Sequence, residues 1–229
     1  MIQVIKIGGG VLENEAQRDA FLRQFAAIEG PKILVHGGGR LATTMADRLG
    51  VETHMIDGRR VTDKETLDIV TMVYGGLVNK QVVAQLQTMG VNAIGMTGAD
   101  GGWMKAVKRP IKNGIDYGYV GDVVEVNGAH LRTLLDNGLT PVIAPITFSA
   151  DGLLLNTNAD TVASETAVSL APDVQLTFCF EKAGVLSNPN DESSVIARIT
   201  PETYTQLKAD GIISGGMIPK VQCCIDAIE

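Results

Sequence analysis

The chain has 229 residues, 45% of them hydrophobic, and 19 lysines and arginines against 26 aspartates and glutamates leave a formal net charge of −7. The two signs are interspersed rather than blocked, which argues against nucleic acid or an anionic membrane as the main partner and favours small metabolites. No basic leader precedes an apolar segment and no apolar run approaches the ~20 residues that span a bilayer, so the expected location is cytoplasmic. Cys179, Cys223 and Cys224 have neither zinc nor disulfide spacing and read as packing residues.

In chain order, short β-branched runs alternate with segments of helical period. A strand over Ile2–Ile7 breaks into Gly8-Gly9-Gly10, a helix covers 16–28, and a second strand over 33–36 breaks into Gly37-Gly38-Gly39. Helices follow over 41–49 and 66–89, then a strand over Ala93–Met96. Residues 103–126 break the alternation and read as a β-hairpin turning at Asn113-Gly114, a lid over the substrate side of the sheet. A helix over 131–137, a strand over 141–145, a helix over 160–170, a strand over 174–180 and a helix over Pro201–Ala209 complete the pattern. Thr200 is the expected N-cap of the last, and Gly90, Gly138 and Gly211 stand where helices should stop. The expected fold is α/β, a three-layer α/β/α sandwich around a mainly parallel open sheet, built as one domain over 1–229. If it has two lobes, they meet near 148–152.

The glycine triplets carry the first functional signal. A buried strand ending in consecutive glycines bares backbone N–H groups that no Cβ shields, and a following helix adds its positive end. Two such loops, with Lys6 just before the first, suit a polyanion such as ATP and phosphoryl transfer; the plainer alternative is a pair of tight strand-to-helix turns. His36 beside the second loop reads as a structural hydrogen-bond donor, and His54 and His130 have no partner at metal-ligand spacing. Trp103 reads as packing for the lid, and Met45, Met55, Met72, Met89, Met96 and Met104 as core filler.

Beyond the triplets come Gly58-Arg59-Arg60-Val61-Thr62-Asp63, Val78-Asn79-Lys80, Gly98-Ala99-Asp100-Gly101, Gly118-Tyr119-Val120-Gly121, Asn156-Thr157-Asn158-Ala159-Asp160 and Gly215-Gly216-Met217-Ile218-Pro219-Lys220. In this order and spacing they resemble the acetylglutamate kinases of the amino acid kinase superfamily, along the whole chain. The resemblance implies that fold, with an acyl-amino-acid lobe over about 1–150 and a nucleotide lobe over about 151–229. It also implies ATP-dependent phosphorylation of the side-chain carboxylate of N-acetyl-L-glutamate, an early step of arginine biosynthesis. Such an acceptor is already ionised at pH 7 and needs no base; the difficulty is bringing two anions together, which fixed cations on both sides of the transferred group relieve.

By resemblance Lys6 contacts the phosphoryl group in transit, Lys220 stands on the nucleotide side, and Asp160 holds both lysines. Taken alone, Lys220 could be a snorkelling surface lysine and Asp160 a helix N-cap. Arg60 matches the clamp on the substrate α-carboxylate and Asn156 the contact to the acylated amino acid; alone, Arg59-Arg60 reads as a solvated loop pair and Asn156 as a turn residue. Gly38 and Gly39 match the glycines at the substrate's reactive end, Gly8 and Gly9 those approaching the ATP phosphates. Mg²⁺ is implied with ATP, held by phosphates and water, so no metal-ligating residue is named. The chain departs from the family at Glu181, where an aspartate is usual, and in stopping at Glu229, which suggests that a closing strand and helix are missing. Without the N-terminal helix of hexameric relatives, an arginine-insensitive homodimer is expected. The alternatives are an N-succinylglutamate acceptor, a kinase for carbamate, aspartate or glutamate, and a catalytically silent ligand-binding regulator.

Overall fold

The computed structural model describes residues 1–56 and 59–228, so Gly58 of the arginine motif lies outside the described residues. The first half runs β1 (Ile2–Ile7), α1 (Gly9–Glu13), α2 (Glu15–Ala27), β2 (Lys32–His36), α3 (Gly39–Leu49), β3 (Met55–Ile56), β4 (Arg59–Arg60), α4 (Lys64–Val70), a π-helical stretch (Thr71–Val78), α5 (Asn79–Thr88) and β5 (Ala93–Met96). The second runs β6 (Met104–Lys108), β7 (Gly121–Val126), α6 (Gly128–Asp136), β8 (Thr140–Ile143), β9 (Ile146–Phe148), β10 (Leu154–Asn156), α7 (Ala159–Ser169), β11 (Val174–Cys179), α8 (Pro201–Ala209) and α9 (Met217–Asp226).

The five strands read from β-branched runs form one sheet, in the order β11-β1-β2-β8-β5, with every pair parallel. Strand alternation sorts its side chains into two cores. Ile5, Ile7, Leu34 and Val142 pack under the α1 to α5 layer with Leu12, Phe25, Ala42 and Leu86. Val4, Ile33, Val35 and Ile143 pack under α6 and α7 with Leu131, Val162 and Leu170. The same period sends Lys6 to the α7 side and His36 to the α5 side.

Residues 66–89 do not form one α-helix. Asp63 caps α4 by accepting from Thr66 N at 2.8 Å, and the helix then widens into the π turn around Gly75-Gly76 before α5 resumes. The hairpin is present, with β6 and β7 antiparallel and Asn113 and Gly114 at positive φ of 53° and 75°. It does not stand alone over the sheet edge: β9 and β10, too short to be seen in the sequence pattern, join it in a four-stranded sheet ordered β10-β9-β6-β7. Gly152 turns the tight β9–β10 connection. Trp103 is buried beneath this sheet and donates Nε1–H to Thr97 O at 2.7 Å. Among the described residues no helix is long and apolar enough to cross a membrane.

Candidate active site

Lys6 lies near the end of β1, buried, and faces the start of α7. Asn158, not Asp160, caps that helix: its Oδ1 accepts from the backbone N–H of Asp160 at 2.7 Å and of Thr161 at 3.4 Å. Asp160 sits in the first turn, where the positive helix end favours a carboxylate. Its Oδ2 accepts from Lys220 Nζ at 2.7 Å, and Lys6 Nζ stands 2.7 Å from Oδ1 as an ion pair off hydrogen-bond alignment. Lys220 reaches it because α9 lies against α7, where Ser164 Oγ donates to Cys223 O at 2.9 Å. Lys6, Asp160 and Lys220 are therefore brought together from β1, α7 and α9.

Burial would raise the Asp160 carboxyl, but the lysines on either side prevail and hold it below its ordinary range. For Lys6 burial wins: with repulsion from Lys220 it outweighs the pull of Asp160, and the ammonium is held below the usual lysine value.

The glycine loops converge on this group. Gly8 and Gly38 are the N-caps of α1 and α3 and neither supplies a side chain, so the first N–H groups of both helices stay available. The loops face each other, since a Cβ on Gly9 would lie 3.8 Å from the backbone nitrogens of Gly38 and Gly39. Gly38 has φ 153°, and a Cβ there would lie 3.1 Å from the ring of Tyr74, a residue of the π turn. Behind the second loop His36 is fully buried, contacting Gly37 O through Nδ1 at 2.8 Å and Asn79 Nδ2 through Nε2 at 3.1 Å. Burial pushes the His36 pKa down to about 4. The Glu181 carboxylate lies over Gly10, where a Cβ would collide with it.

Beside the second loop opens a cavity of about 200 Å³, lined among others by Gly38, Gly39, Arg60, Asn156 and Ala159. Ala159 precedes Asp160, so the triad begins where the cavity ends. Arg60 is buried, not solvated: Nη2 donates to Gly39 O and Thr43 Oγ1, both at 2.8 Å, and Nη1 to Thr53 Oγ1 at 3.2 Å. Both bidentate edges of a guanidinium include Nη2, so in this arrangement Arg60 has Nε–H and one Nη1–H left for a ligand, not a free fork. Asn156 donates Nδ2–H to Thr62 Oγ1 at 2.9 Å, which leaves its carbonyl oxygen free of that bond. Thr62 is itself fixed to the hairpin base through Tyr117 O at 2.9 Å and Tyr119 N at 2.6 Å.

The cavity also contains residues to which the sequence reading gave no place in the site. Arg59, Arg109, Tyr74 and Met55 line it, and Met55 and Met72 are more than half exposed rather than core filler. Arg109 is held by Asp122, whose Oδ1 accepts from Nε at 3.0 Å and Nη2 at 2.6 Å. The charge of these arginines was legible; their convergence was not. Among the described residues no three His, Cys, Asp or Glu side chains form a metal-binding group.

The family model for the amino acid kinase family matches residues 1–229. An acetylglutamate kinase from Phocaeicola vulgatus is 55% identical over 230 residues, covering 100% of this chain and 89% of its own length. One from Cytophaga hutchinsonii is 54% identical, covering 100% and 87%. Among solved structures, that of smu.665 from Streptococcus mutans superposes with a TM-score of 0.84 at 29% identity, over 99% of this chain and 89% of that one. With this similarity spanning the glycine loops, the arginine strand and the lysine–aspartate group, the chain belongs to the amino acid kinase family, among the acetylglutamate kinases.

Proposed function

We propose that the chain transfers the γ-phosphoryl group of ATP to the side-chain carboxylate of N-acetyl-L-glutamate, giving the acyl phosphate, an early step of arginine biosynthesis. One observation carries this reading: two lysines from different elements meet on one buried aspartate beside two facing glycine loops. The acceptor arrives ionised, so the protein must neutralise and align rather than abstract a proton. Lys6 stabilises the migrating phosphoryl group, Lys220 the charge that grows on the leaving ADP, and Asp160 holds both ammonium groups at fixed spacing. Gly9 presents a backbone donor to the nucleotide phosphates, and Gly38 and Gly39 to the reacting end of the acceptor; Gly8, whose own N–H goes to Cys179 O at 2.9 Å, serves only by bringing no side chain into the path of the phosphates. Arg60 and Asn156 hold its amino-acid end. Mg²⁺ bound to the phosphates through their own oxygens and water would lower their charge further.

In this reading the segment of about 1–150 carries the acceptor and that of about 151–229 the nucleotide. Lys6 comes from the first, Asp160 and Lys220 from the second, so transfer requires the two together. The protein works as a homodimer in the cytoplasm, where ATP is made. Support for self-association comes from exposed apolar side chains at Met72 and Leu77 on the π turn and Ile94 on the edge strand β5; light scattering of the purified protein is expected to give twice the chain mass.

Retention of Lys6, Asp160 and Lys220 argues against a silent regulator, which would need no cations at both ends of a transfer path. The deciding experiment couples ADP release to N-acetyl-, N-succinyl- and unmodified glutamate, with carbamate and aspartate as further acceptors. N-acetylglutamate is expected to give the highest kcat/KM. Preference for a free amino acid or carbamate would overturn the assignment, and binding without turnover of any acceptor would favour the regulator.

A further inference from the structure

The Val78-Asn79-Lys80 motif and the buried His36 have no part in the transfer itself, yet they form a fully satisfied hydrogen-bond network against the second glycine loop. Asn79 is buried and donates both amide hydrogens, one to Val142 O at 2.9 Å and one to His36 Nε2 at 3.1 Å. Its Oδ1 accepts from Lys80 Nζ at 3.1 Å, and the same ammonium bonds Gly95 O at 3.1 Å, so the amide cannot turn over without losing partners on both sides. A ring nitrogen that accepts carries no proton. Neutral His36 must therefore hold its proton on Nδ1 and donate it to Gly37 O at 2.8 Å.

That bond has a consequence one atom further on. In a planar trans peptide the C=O and the following N–H point in opposite directions. Drawing Gly37 O towards His36 therefore turns Gly38 N–H away from it, towards the side where a Cβ on Gly9 would lie 3.8 Å from Gly38 N. This is the gap between the two loops. Tyr74 and Val78 press on Gly38 from the π turn, which ends at the residue before Asn79, so the wall and the network come from adjoining turns where the π stretch passes into α5.

We infer that Asn79 selects the tautomer of His36 and, through it, aims Gly38 N–H into the gap between the glycine loops, making Asn79 and His36 positioning residues for phosphoryl transfer. The inference rests on the proposed reading only in taking that gap as the path of the phosphoryl group; the tautomer can be measured without it. The charged group beside the pair is Lys80, which disfavours a charged imidazole.

Long-range ¹⁵N–¹H NMR of the wild-type protein is expected to show His36 protonated on Nδ1 alone at pH 7.5. Protonation on Nε2 would overturn the inference outright, whatever the activity. Asn79→Asp then reverses the network, because a carboxylate can only accept. Above the new His36 pKa the proton moves to Nε2, Nδ1 turns a lone pair on Gly37 O, and the loop loses its direction. With N-acetylglutamate as acceptor, kcat/KM of N79D at pH 8 should be about tenfold or more below wild type. It should recover towards wild type as pH falls and His36 becomes doubly protonated, donating on both sides. Parallel pH profiles for the two proteins would overturn the proposal. If N79D does not fold, the wild-type tautomer and its loss of definition in Asn79→Ala decide the question. A wild-type enzyme inactive on every acceptor, with the tautomer as expected, would instead count against the functional reading.

Discussion

The two glycine triplets are identical in sequence and differ in almost everything behind them. The first is backed by charge: Lys6 leads into it, with Asp160 and Lys220 on the same side of the sheet. The second is backed by a chain of uncharged groups, His36 to Asn79 to Val142, on the opposite side, with the Lys80 ammonium only at its exposed end. The first needs no left-handed backbone, since Gly8 has φ −69°, whereas Gly38 sits at φ 153° against an aromatic ring. The same three letters thus answer different physical demands, close approach by an anion in one loop and a backbone conformation closed to other residues in the other.

If charge supports the first loop, the largest effect comes from removing its counter-ion. Asp160→Asn leaves two ammonium groups facing each other, one of them buried, and should cost about 3–5 kcal/mol in urea unfolding. Because the folded-state pKa of Asp160 lies below its ordinary value, its contribution is present above pH 3.8 and fades as pH falls through the folded value; the variant should lose that acid dependence. Lys6 would also lose the attraction that partly offsets its burial, so the alkaline limb of the rate profile should move to lower pH. Lys6→Ala is next: kcat should drop by about 10²–10³-fold while ATP affinity, read by titration calorimetry, changes little. Equal loss of both would make Lys6 part of the scaffold and erase the contrast between the loops.

How much of this contrast could be read from sequence depended on range. The parallel strands follow from β-branched runs such as Ile33-Leu34-Val35, and both triplets are visible by eye. The triad was legible through motif order, because Asn156 to Asp160 and Gly215 to Lys220 are local patterns. What escaped depends on contacts across long separations or on compensations between neighbours. Asn158 rather than Asp160 caps α7 because a two-position shift is decided by backbone geometry. The π turn follows from Gly75-Gly76 only once Tyr74 must meet Gly38. Arg60 read as solvated because Gly39 and Thr43, which accept from it, lie about twenty residues away on α3. β9 and β10 have three residues each, too few to show a period.

The neutral backing of the second loop has its own signature in acid. His36 is fully buried with a pKa lowered from 6.5 to about 4, so the unfolded chain takes up a proton that the folded one refuses. Stability from this source is whole above pH 6.5, falls between pH 6.5 and 4, and is level below, a loss of about 3 kcal/mol at one pKa unit per 1.36 kcal/mol. Denaturant midpoints across that window should show the slope, and His36→Gln should flatten it. An unchanged slope in the variant would mean that the second loop is not supported by a neutral imidazole.

The finest test sets Gly38→Ala against Gly9→Ala. At Gly38 the methyl meets both an unfavourable φ of 153° and the Tyr74 ring at 3.1 Å, so the variant should lose about 1–3 kcal/mol in thermal unfolding. At Gly9 the same methyl finds only ordinary contacts at 3.8 Å or more, and stability should hold within about 0.5 kcal/mol. It nevertheless projects towards the nitrogens of Gly38 and Gly39, into the space a phosphate must enter, so turnover should fall about tenfold or more in a folded protein. Loss of fold at Gly9, or full activity there, would mean that the first triplet is only a turn, and that both loops are glycine-rich for one reason rather than two.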